Sequence, residues 1–74
     1  MSVADLMEEA ARVADEELTS IEIRAFRNAY PLSGASGDWL VQDVELPATL
    51  AHWPTGRLTE LGLAVRKHLV EASS

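Results

Sequence analysis

The chain has 74 residues, and its 12 Asp and Glu against 6 Lys and Arg give a formal net charge of -6. This length fits a single domain, residues 1–74, and the lack of cysteine excludes disulfides and thiolate metal sites. The negative charge disfavours nucleic acid and favours a partner with a basic surface.

The first predicted helix begins at Ser2, which has the position of an N-cap with Asp5 in the first turn. Its apolar stripe has helical spacing: Val3, Met7, Ala10, Ala14 and Leu18. An acidic run, Asp15 to Glu17, follows near the end of this stripe. The run is interpreted either as solvated surface or as a docking patch for Lys and Arg of a partner.

A second helix is predicted from Thr19, because Thr19 and Glu22 have the spacing of a capping box. Phe26 continues the apolar face, and Pro31 ends the helix because it disfavours helical geometry at Tyr30. The alternation of Ile21 and Ile23 leaves a strand over residues 19–25 as the alternative.

The middle of the chain is harder to assign. Residues 31–37 predict a loop because they are rich in Gly, Pro and Ser. Residues 39–46 fit a strand, with Leu40 and Val44 on one side, or a short helix capped by Asp38. Pro47 is suited to the first turn of a helix, so residues 47–52 predict a short helix that Pro54 and Gly56 end.

The last predicted helix covers residues 58–72, since five apolar residues keep helical spacing: Leu58, Leu61, Val65, Leu69 and Ala72. Leu63 and Val70 extend the apolar surface over more than half of the circumference. One small core hardly covers so much apolar surface. The excess predicts a contact with a partner or a homodimer through 58–72.

These elements predict a mainly α fold, a compact bundle of about four short helices with a possible helix-turn-helix arrangement. The alternative is an α+β fold with a two-stranded hairpin (about 20–26 and 39–46) flanked by N- and C-terminal helices. No apolar run reaches the roughly 20 residues of a membrane span. Acidic residues occupy the place of a signal peptide's basic start, so the expected location is cytoplasmic.

One segment, Pro-Ala-Thr-Leu-Ala-His-Trp-Pro-Thr-Gly-Arg at residues 47–57, resembles the recognition helix and following turn of Cro and repressor-type helix-turn-helix domains. Ile23-Arg24-Ala25-Phe26-Arg27, followed by Leu32-Ser33, is similar to the first helix of that family and the entry to its second. The likeness covers about half of the chain. It implies a dimeric DNA-binding regulator with Thr49 and His52 toward bases and Arg24, Arg27 and Arg57 toward phosphates.

The sequence offers no combination of residues for catalysis, a metal or a cofactor, because nothing in the spacing unites its serines with its two histidines. We therefore expect a non-enzymatic interaction protein that binds and regulates a larger, basic protein, as an inhibitor, antitoxin-like partner or accessory subunit. The helix-turn-helix transcriptional regulator is the alternative. The expected partner-binding residues are Asp15, Glu16, Glu17, Asp38, Asp43, Glu45, Leu63 and Val70.

Overall fold

The computed structural model describes residues 2–31, 37–42, 44–52 and 55–72. These residues form three α-helices, one π-helical turn and a four-stranded antiparallel sheet. The helices are α1 (Val3–Arg12), continued by the π-helical turn Val13–Glu17, then α2 (Ser20–Arg27) and α3 (Glu60–Ala72). The strands are β1 (Tyr30–Pro31), β2 (Trp39–Leu40), β3 (Ala51–His52) and β4 (Arg57–Leu58).

Local capping fixes where the helices begin. The Asp5 amide donates to Ser2 Oγ at 3.2 Å, so Ser2 caps α1 as predicted. At α2 the predicted capping box is present in full: the Glu22 amide donates to Thr19 Oγ1, and the Thr19 amide donates to Glu22 Oε1. The Ser2 cap and the Thr19 capping box satisfy amides that have no partner inside their helices. Both predicted helix starts are confirmed.

The strands lie in the order β1-β2-β4-β3, and every neighbouring pair is antiparallel. The order places β1 and β3, each two residues long, at the edges. A four-residue connection ending at Gly56 joins β3 to β4. Gly56 has φ of 80°, and a Cβ there would lie 2.3 Å from the Val41 carbonyl oxygen, so this position requires glycine.

Helix α3 lies at the centre of the fold. The inner face of the sheet packs against it with buried Ala51 and Leu58, while α1 and α2 pack against its other sides. Phe26 and Val65 are fully buried in the resulting core. Much of the apolar circumference of α3 is therefore used within the chain itself.

The mainly α prediction is wrong, because the described residues form an α+β fold rather than a four-helix bundle. The alternative hairpin of 20–26 with 39–46 is also wrong. Residues 20–27 are helical, and the short strand Trp39–Leu40 pairs with Tyr30–Pro31 and Arg57–Leu58.

The predicted helix at 47–52 is replaced by a single turn and a strand. The amides of Leu50 and Ala51 both donate to the Pro47 carbonyl, at 2.9 and 3.1 Å, so one turn forms. The Leu50 carbonyl then accepts from the Thr59 amide at 2.9 Å, and Ala51 enters β3. The recognition helix implied by the helix-turn-helix resemblance is thus absent from these residues. The last helix begins at Glu60 rather than at residue 58, since Leu58 belongs to β4.

Within the described ranges, no helix has both the length and the apolar character needed to cross a membrane.

Candidate functional site

The first surface of interest is the acidic helical surface, the exposed side of Val3–Glu17. The first 17 residues contain six carboxylates and one cation, so they hold -5 of the chain's net charge of -6. The carboxylates are Asp5, Glu8, Glu9, Asp15, Glu16 and Glu17, and the cation is Arg12. Because α1 and the π-helical turn are continuous, these charges lie along one element.

Arg12 forms ion pairs with carboxylates of the same surface. Its guanidinium pairs with Glu9 and, at 2.6 Å, with Glu17. The hydrogen bond from Arg12 lowers the pKa of Glu9 below its ordinary value and raises the pKa of Arg12. Asp15 lies 3.6 Å from Nε2 of His68 on α3, whereas Glu8 and Glu16 are exposed. The surface therefore remains strongly negative after the charge of Arg12 is counted.

The second surface is the outer face of the sheet, which faces away from α3. Cross-strand pairs place Tyr30, Leu40, Arg57 and His52 in one row, since directly paired residues project to the same side. Tyr30 is 53% exposed. Three strand spacings make the row about 14 Å long.

An open cleft of about 610 Å³ lies on this outer face, and we call it the outer-face cleft. Its described lining residues are Leu40, Gln42, His52, Thr55 and Arg57. The Thr55 hydroxyl is used within the turn, where Oγ1 donates to the His52 carbonyl at 3.1 Å and accepts from the Arg57 amide. Arg57, His52 and Gln42 carry the polar groups that can meet a ligand.

Asp38 pairs with Arg57, one of the residues that line the cleft. Its carboxylate accepts a hydrogen bond from the Arg57 guanidinium. The Asp38 side chain is 17% exposed and the Arg57 side chain is 54% exposed. The ion pair therefore presents the guanidinium to solvent and covers the carboxylate.

The predicted partner-binding residues do not form one surface. Asp15, Glu16 and Glu17 share the acidic helical surface, while Asp38 pairs with Arg57 beside the sheet. Glu45 is exposed in the connection between β2 and β3. On α3, Leu63 is half-buried against the core and Val70 is 37% exposed. Asp43 lies outside the described residues, as does Trp53.

The residues that the helix-turn-helix resemblance assigned to DNA binding lie on different secondary-structure elements. Arg24 and Arg27 are exposed on α2, Arg57 and His52 lie on the sheet, and Thr49 lies in the turn before β3. A recognition helix would carry base contacts along one element in the major groove. In the described residues, the two base-reading candidates are not on a helix.

The outer-face cleft was missed at the sequence level because its lining comes from three separate segments. One local signal was available. A polar residue stands beside an apolar one in two short segments, Ala51-His52 and Arg57-Leu58. The turn-forming pair Thr55-Gly56 lies between these segments, so the pattern is typical of a hairpin.

Among the residues that the structure describes, no three His, Cys, Asp or Glu side chains are grouped so as to hold a metal ion. Comparisons with protein-family models, with curated proteins and with solved structures found no match for this chain.

Proposed function

We propose that this chain is a cytoplasmic, non-enzymatic interaction protein that binds and regulates a larger protein with a basic surface. The acidic helical surface is the proposed binding surface. The observation that supports it is the segregation of charge, since the first 17 residues hold -5 of the net charge of -6. A concentrated field of one sign accelerates association with an oppositely charged partner and disfavours wrong partners.

The non-enzymatic part of the proposal is supported by the chemistry of the outer-face cleft. The hydroxyl of Thr55 is engaged by backbone groups of its own turn. A nucleophile needs a base within hydrogen-bonding reach, and Thr55 instead makes the contacts of a structural turn residue.

The test compares two double variants with the same change in net charge. Asp15→Asn with Glu16→Gln removes two charges from the acidic helical surface. Glu45→Gln with Glu60→Gln removes two exposed charges outside the first 17 residues. Each tagged protein is used to recover partners from the source cells at low and at moderate salt, because screening weakens exposed charge pairs.

We expect the wild type and the control with Glu45→Gln and Glu60→Gln to retain a basic protein. The double variant with Asp15→Asn and Glu16→Gln should lose it. A titration with octalysine, followed by backbone amide shifts, locates the binding surface directly. Shifts confined to residues outside Val3–Glu17, or equal recovery by both double variants, would contradict the proposal.

A further inference from the structure

The described lining of the outer-face cleft contains hydrogen-bond donors and no carboxylate, in contrast to the acidic composition of the chain. The chain has twice as many carboxylates as cations, yet none of the described residues that line the cleft is acidic. The lining instead contains a guanidinium, an imidazole and a side-chain amide, from Arg57, His52 and Gln42. Each of these groups can donate a hydrogen bond to an anion.

Arg57 is the only cation among the described lining residues, and its charge is paired with Asp38. Asp38 is largely covered and fixes the guanidinium, whereas more than half of the Arg57 side chain is exposed. A guanidinium has five N–H donors in a planar fork that matches the two oxygens of a carboxylate. Asp38 thus acts as a positioning residue for Arg57, which lines the cleft beside His52, its cross-strand partner.

The shape of the cleft indicates the kind of ligand. Sites for free small molecules usually enclose most of the ligand, whereas this cleft is open along the sheet. An open surface is suited to a side chain that belongs to a larger molecule, because the rest of that molecule can cover the remaining residues of the row. The exposed ring of Tyr30 and the half-buried Leu40 supply apolar contacts next to the charged groups, and tyrosine is enriched at protein interfaces.

We propose that the outer-face cleft binds a Glu or Asp side chain in an acidic segment of a partner protein, flanked by apolar residues. The carboxylate of the partner pairs with Arg57. The apolar residues that flank it in the partner extend along the row toward Tyr30. The row of about 14 Å accommodates roughly four extended residues. This site is separate from the acidic helical surface and does not depend on the function proposed for that surface.

The test uses two blocked peptides on the isotope-labelled full chain at low ionic strength: acetyl-Gly-Phe-Glu-Phe-Gly-amide and the same peptide with Gln in place of Glu. We expect the Glu peptide to shift the amides of Leu40, Gln42, His52, Thr55 and Arg57. A dissociation constant on the order of 1 mM is expected for one exposed ion pair with apolar neighbours. The Gln peptide should bind about threefold more weakly, since it loses an exposed ion pair that contributes at most about 1 kcal/mol.

A matched pair of variants then assigns the effect to one residue. Arg57→Gln and Arg27→Gln make the same change in net charge, but Arg27 lies on α2 and is not among the described residues of the cleft. We expect Arg57→Gln to abolish the preference for Glu over Gln and Arg27→Gln to preserve it.

The comparison of peptides on the wild type does not rely on any variant folding correctly. Equal binding of the two peptides would overturn the proposal. So would an absence of shifts in the cleft at several millimolar peptide, or an equal loss of preference in both variants.

Discussion

The guanidinium carbon of Arg66 lies 3.2 Å from the centroid of the Trp39 indole. This contact joins α3 to β2, on the side of the sheet that faces the helices. Burial lowers the pKa of Arg66 below its usual value, although an arginine remains charged in proteins. The side chain therefore acts as a charged packing residue whose cation is stabilised by the ring.

Replacing Arg66 should cost more stability than the same change one residue later. Arg66→Gln loses the stacking contact with Trp39, whereas Lys67→Gln removes an exposed charge from the same helix. We expect a loss of about 0.5 to 2 kcal/mol for Arg66→Gln and a change within about 0.5 kcal/mol for Lys67→Gln. Urea unfolding of the two variants measures the difference, and equal free energies of unfolding would show that the stacking contributes nothing.

Gly62→Ala should destabilise the fold although alanine favours helices. A Cβ at this position would lie 2.0 Å from the Leu50 carbonyl oxygen, a backbone atom that cannot move freely. The overpacking should cost about 1 to 3 kcal/mol and outweigh the gain of about 1 kcal/mol in helix propensity. Chemical denaturation against Lys67→Ala, an exposed site on the same helix, provides the comparison. A stabilised Gly62→Ala variant would mean that the turn at Leu50 does not pack as closely as described.

Thr19→Ala should remove the capping box of α2. The Glu22 amide loses its acceptor at Thr19 Oγ1, and N-cap losses of this type typically cost about 1 kcal/mol. Ser20→Ala, at the first position of the helix, is the matched control because Ser20 is not the capping residue. Thermal unfolding monitored by circular dichroism should show a lower midpoint for Thr19→Ala than for Ser20→Ala.

Glu9 should contribute to stability at neutral pH and lose this contribution in acid. Its pKa in the folded state is lowered from 4.5 by the hydrogen bond from Arg12. The contribution is present above the unfolded value and disappears as the pH falls through the folded value. The difference in melting temperature between the wild type and Glu9→Gln should therefore shrink as the pH falls below about 4.5. A difference that stays constant down to strongly acidic pH would exclude this explanation, and Glu8→Gln is the neighbouring control.

The parts of the fold that could be predicted from the sequence depend on interactions within a few residues. Ser2 with Asp5 and Thr19 with Glu22 form side-chain to backbone hydrogen bonds three residues apart. Such contacts are decided locally, so their spacing in the sequence is sufficient to locate the starts of α1 and α2.

The segment from Pro47 to Leu58 could not be predicted in the same way. Pro47 does begin a turn. The Thr59 amide then donates to the Leu50 carbonyl, and the chain continues as β3 instead of as a helix. Competition between a local helix and a pairing with residues nine positions away is decided by the tertiary structure. The outer-face cleft depends on this pairing, because it brings His52 beside Arg57.

The two edges of the sheet also restrict how another chain can attach. At β1 the described edge contains Pro31, which has no N–H to donate, and at β3 the described edge is Ala51–His52. A long uncovered strand is a template for adding further strands and for fibril growth. The proline removes a backbone donor that an incoming strand could otherwise use at the β1 edge. Pro31 therefore makes the β1 edge less favourable for strand addition, which is one route to ordered aggregation.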